Sequence, residues 1–73
     1  MNGIVKAEMS LEREFGEWGE KTRWLEGVVI ESEVEDGVLM HVRAFWDDRP
    51  IQLNWAEMDE AESKLWAVVK ATP

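Results

Sequence analysis

The single histidine, His41, is where acid-base or metal chemistry would have to be built, because no cysteine accompanies it. Absence of cysteine removes thiolate nucleophiles, iron-sulfur ligation and the usual zinc sites, and gives no sign of an oxidising compartment. The strand register read below sets His41 opposite Glu31, with Arg43 next but one on its own strand. A carboxylate can orient an imidazole, but no serine or other nucleophile has a place beside this pair, so His41 reads as a surface histidine in a cross-strand pair. The adjacent acids Asp47-Asp48 and Asp59-Glu60 lack the alternating spacing of a calcium loop, and so short a chain offers little cleft in which to perturb them. Glycines 16, 19, 27 and 37 precede no helix start carrying a P-loop lysine. No catalytic set, metal or cofactor is expected, and the chain reads as a non-enzyme.

Carboxylates in number are the stronger signal. Sixteen acids face eight Lys and Arg, a formal net charge of −8 over 73 residues. Such a charge opposes direct contact with nucleic acid or an anionic membrane, and Arg13, Lys21, Arg23, Arg43 and Arg49 are scattered rather than gathered into a stripe. Glu8, Glu12 and Glu14 fall on the polar side of the first strand, and Glu31, Glu33 and Glu35 repeat at every second residue of the next. Residues two apart in a strand lie about 6.6 Å from one another, close to the spacing of phosphates along a nucleic-acid backbone. An imitation of DNA toward a basic protein follows as one reading; a solvated acidic face is the plainer one.

Five tryptophans accompany these acids, and tryptophan is enriched at the energetic centres of protein interfaces. Trp24 and Trp46 have inward parity and read as core, while Trp55 and Trp66 read as lying at the core edge. Trp18, between Gly16 and Gly19, is expected to be exposed. With Phe15 it forms an aromatic loop that Glu17 and Glu20 make suitable for a pocket with a basic rim.

The elements that position these residues follow from hydrophobic period. Val5, Ala7, Met9 and Leu11 alternate with polar residues, which predicts a strand over 5–11. Glu14 to Thr22 carries two glycines and mixed charge and reads as a loop. Trp24 to Val34 and Val38 to Trp46 read as a hairpin. A two-residue Asp36-Gly37 turn would set the apolar side of one strand against the mixed side of the other. Parity therefore favours a three-residue loop pairing Val34 with Val38, Ser32 with Met40, Ile30 with Val42 and Val28 with Ala44. Gly27 marks a bulge or close approach, with Phe45 as its expected neighbour. Leu25, Val29, Leu39 and Phe45 then form an apolar patch on the outer face, covered either by the Phe15–Trp18 loop or by a dimer or partner contact.

Asp47 to Pro50 reads as a turn and Ile51 to Leu53 as a short extended piece. Asn54 and Glu57 form a capping box, Leu53 and Met58 a hydrophobic staple, so a helix is expected from Trp55 to a stop at Thr72-Pro73. Its stripe is Met58, Ala61, Leu65 and Val68 or Val69, and its early acids and later lysines suit the helix dipole. The predicted architecture is one α+β domain over 1–73: a three- to four-stranded antiparallel meander with a C-terminal helix on one face. Uncharged apolar runs such as Val28-Val29-Ile30 and Leu65 to Val69 are far short of a membrane span, and the N-terminus has neither a signal-peptide nor a transit-peptide pattern, so a cytoplasmic protein is expected.

The segment Asn54-Trp55-Ala56-Glu57-Met58-Asp59-Glu60-Ala61-Glu62 and the glutamate-bearing strands resemble small acidic bacteriophage host-takeover proteins. Among these the chain is similar in size and character to phage regulators that bind host RNA polymerase, and also to anti-CRISPR and DNA-mimic proteins. The resemblance implies a protein-binding inhibitor or modulator of a larger, basic, nucleic-acid-handling host machine, in the host cytoplasm, with RNA polymerase the favoured target. Partner-binding residues expected on this reading are Phe15, Glu17, Trp18, Glu20, Glu31, Glu33 and Glu35. Two alternatives stay open: a DNA mimic acting on a CRISPR or restriction nuclease, and a structural module that self-associates, as a homodimer or larger assembly, through the Leu25, Val29, Leu39 and Phe45 patch.

Overall fold

In the computed structural model, which describes residues 3–71, the elements in chain order are β1 (Gly3–Phe15), β2 (Lys21–Glu35), β3 (Val38–Trp46), β4 (Arg49–Ile51) and α1 (Trp55–Ala71). The strands form one antiparallel sheet in the order β1-β2-β3-β4, and α1 lies on one face of it, so the α+β meander is as expected. Core residues come from every layer: Val5, Met9 and Leu11 of β1, Val28, Ile30 and Val34 of β2, Ala44 of β3, and Ala61 and Leu65 of α1. Ala61 and Leu65 of the predicted helix stripe are in the core, both Val68 and Val69 pack against it, and Met58 is half-buried.

The capping box forms in full. Asn54 Oδ1 accepts from the Glu57 amide at 2.8 Å, and Glu57 Oε1 accepts from the Asn54 amide at 2.9 Å. Two donors that helix geometry leaves without partners are thereby satisfied. The expected stop at Thr72-Pro73 lies outside the described residues.

Strand limits differ from expectation at the first hairpin. Pairing continues past Leu11 to Phe15 opposite Lys21, so the loop shrinks from 14–22 to 16–20. Charged residues with no apolar alternation still make a ladder there, because main-chain hydrogen bonds propagate from the pairs already formed. The last strand also begins earlier, at Arg49, after a turn in which Asp47 and Asp48 both have positive φ. Pro50, which cannot donate to a ladder, sits on this three-residue edge strand where that loss is tolerated.

The second hairpin corrects the predicted register. Glu35 pairs with Val38 and Val34 with Leu39, so the turn is the two-residue Asp36-Gly37 turn that parity had argued against. Both residues are left-handed (φ 52° and 79°), the type I′ geometry that matches strand twist. The parity conflict is removed elsewhere. Between Glu33↔Met40 and Glu31↔Arg43 the register shifts, leaving His41 and Val42 together opposite Ser32, with His41 at φ 55°. This bulge sets inward Ile30 opposite inward Ala44, where Val42 was the expected partner, and it moves His41 away from Glu31, which instead pairs with Arg43.

A second bulge lies in β2. Met9 pairs with Val28 and Leu11 with Leu25, so Glu26 and Gly27 together face Ser10, and Gly27 takes φ 73°. The glycine does mark a bulge, but Phe45 pairs with Val29 rather than with it. Each bulge reverses the side that residues on one flank of it face relative to those on the other. Leu25 and Leu39 therefore turn inward opposite Leu11 and Val34 and pack on the core, leaving only Val29 and Phe45 of the predicted outer patch on that face.

Candidate docking site

The β1–β2 ladder runs beyond the rest of the sheet. Its last pair is Phe15↔Lys21, whereas β3 pairs with β2 no farther than Val29↔Phe45. The remainder is a two-stranded arm, which accounts for an extent of 45 Å along the longest axis against 22 and 18 Å across.

A cross-strand pair of arginines, Arg13↔Arg23, sits two pairs from the end of this arm. Like charges directly opposite in a sheet repel, so each needs its own counterpart. Arg13 donates to the Gln52 carbonyl at 2.6 Å and pairs with Glu57 Oε1 at 3.0 Å, which ties the arm to the same carboxylate that caps α1. The Arg23 guanidinium stacks over Trp46 at 5.1 Å, and the Trp46 indole donates to the Glu26 carbonyl at 3.1 Å. Trp46 is thus inward-facing and half-buried, as its parity predicts.

At the tip, Trp18 is 86% exposed and Phe15 48%. Neither covers Val29 and Phe45; the loop stands at the far end of the ladder from them. The two tip acids differ in role. Glu20 folds back so that its Oε2 accepts from the Trp18 amide at 2.9 Å, while a Cβ at Gly16 would meet its Oε1 at 2.8 Å. Its carboxylate is used in shaping the turn, and Glu17 is exposed beside Trp18.

Glu31, Glu33 and Glu35 lie apart from this tip, on the sheet face opposite the helix. Glu31 pairs with Arg43 at 3.1 Å and with Lys6 at 3.9 Å, and Glu33 lies 3.9 Å from Arg43. The seven expected site residues thus fall into two groups, an aromatic tip with Phe15, Glu17, Trp18 and Glu20, and a partly neutralised acidic row in mid-sheet.

Two exposed indoles were missed from the sequence. Trp24, expected in the core, is 61% exposed opposite Glu12, and Trp55, expected at the core edge, is 91% exposed. Trp24 is turned out by the Gly27 bulge. Trp55 occupies the first helical position, ahead of the stripe that Ala61 and Leu65 define. Trp24, Glu12 and Glu60 border a shallow notch between the arm and the start of α1. Among the described residues no helix is long and apolar enough to cross a membrane. No protein-family model, curated protein or solved structure matches this chain.

Proposed function

We propose that this protein is a non-enzymatic, protein-binding inhibitor or modulator that docks its arm on a basic surface of a larger nucleic-acid-handling machine, with RNA polymerase the favoured target. The observation that carries this reading is an indole 86% exposed at the tip of a braced arm, flanked by Glu17. An exposed tryptophan on a preorganised hairpin loses little conformational entropy on docking, and a handful of such anchors supply most of an interface's free energy. Surrounding acids speed encounter with a positive surface. The pairing of Glu31 and Glu33 with Arg43 and Lys6 favours this over a DNA mimic, whose charges must stay available to the target.

The test is binding of the purified chain to purified bacterial RNA polymerase by interferometry. Trp18→Ala should weaken affinity about tenfold or more, the scale of an interface hot spot, while the melting temperature stays unchanged. Glu31→Gln/Glu33→Gln/Glu35→Gln should matter less. Affinity insensitive to Trp18 but lost with the three glutamines would favour the mimic, and no binding to the polymerase would remove that target.

A further inference from the structure

We propose that the free edge of β1 pairs with β1 of a second copy, antiparallel about a two-fold axis at Ala7, to make one continuous eight-stranded sheet. This goes beyond the docking reading and uses a different surface. The sheet has two edges. β4 protects one by being three residues long and carrying Pro50. β1 presents the other along 13 residues with no proline, and the nearby bulge puts its extra residue in β2, so β1 itself stays regular. A long, regular edge with unpaired main-chain groups is a template for another strand.

The side chains select the register and the partner. On the face opposite the helix the edge carries Lys6 and Glu8, both exposed, and Lys6 is held only loosely by Glu31 at 3.9 Å with its side chain 66% exposed. A two-fold at Ala7 sets Lys6 opposite Glu8 of the second copy and, by symmetry, Glu8 opposite its Lys6. On the helix face it sets Val5 opposite Met9, with the small Ala7 side chains meeting on the axis. An axis at Lys6 or at Glu8 would oppose like charges, which is destabilising. An axis at Met9 would set Val5 against Arg13, which is committed to Glu57 and Gln52. The Ala7 register uses residues 3–11 of each strand and stops short of the outer part of the arm. Both arms are left free, at opposite ends of the pair.

Sedimentation equilibrium across micromolar to millimolar concentration tests this. The wild type should approach twice the 8.5 kDa chain mass. Lys6→Glu and Glu8→Lys each create two like-charge pairs and should raise the dimer dissociation constant roughly tenfold; the double exchange Lys6→Glu/Glu8→Lys should restore it. Circular dichroism checks that each variant is folded. Because the natural chain has no cysteine, Ala7→Cys adds a single thiol. Directly opposite residues have Cα atoms about 4.5–5.5 Å apart, within disulfide range, so oxidation should give a cross-linked pair. A wild type that stays at single-chain mass, single exchanges that leave association unchanged, or failure of the cysteine variant to cross-link would each overturn the proposal.

Discussion

Ser32 is the only polar side chain among the fully buried ones described, and its position explains why. It faces the bulge at His41 and Val42, and its hydroxyl lies 2.7 Å from the Met40 carbonyl and 3.0 Å from that of Glu33. A bulge interrupts the ladder, and a buried carbonyl near the interruption needs a donor from a side chain. Ser32→Ala removes that donor without adding bulk. We expect it to cost about 1–3 kcal/mol, the penalty of an unsatisfied buried carbonyl, measured by urea unfolding; a change below a few tenths would show that the bulge needs no such support. The arginine pair shows the same logic for charge. Arg13 and Arg23 face one another, yet each is held by a different part of the body, so a repulsive pair becomes a two-point brace.

At the scale of elements, the two bulges determine which side chains the strands display. Both depend on a left-handed residue, but of different kinds: Gly27 pays no steric penalty at φ 73°, whereas His41 holds φ 55° with a full side chain. Opposite responses follow. Gly27→Ala should destabilise by about 1–2 kcal/mol from left-handed backbone strain alone, since a Cβ there meets nothing within 4 Å. His41→Gly, in an exposed position, should be neutral or slightly stabilising. Paired thermal melts compare them, and equal loss in both would mean that backbone strain does not control the register. Gly27 and the turn residues are recognisable in the sequence as irregular points, but the side-reversal each imposes shows only in the ladder. The reversal at Gly27 alone turns Trp24 outward and Leu25 inward.

The whole molecule is a short body with a projecting arm. Its radius of gyration of 13.6 Å exceeds the roughly 11 Å expected of a compact domain this size. Stability should be graded along it. Amides of 14–22 have few buried neighbours and should exchange with deuterium fastest, those of Ile30 and Val34 slowest; uniform protection would mean the arm packs on something in solution. Within the described residues, the sequence by itself determined the helix, its cap and stripe, the strand meander and the exposure of Trp18, because each rests on residues close in the chain and on one unbroken period. Tertiary structure alone decided the reach of the first hairpin, the pairing of Glu31 with Arg43 and the exposure of Trp24. Those depend on ladder register, and register is set by where the ladder absorbs an extra residue, a choice made between strands rather than within one.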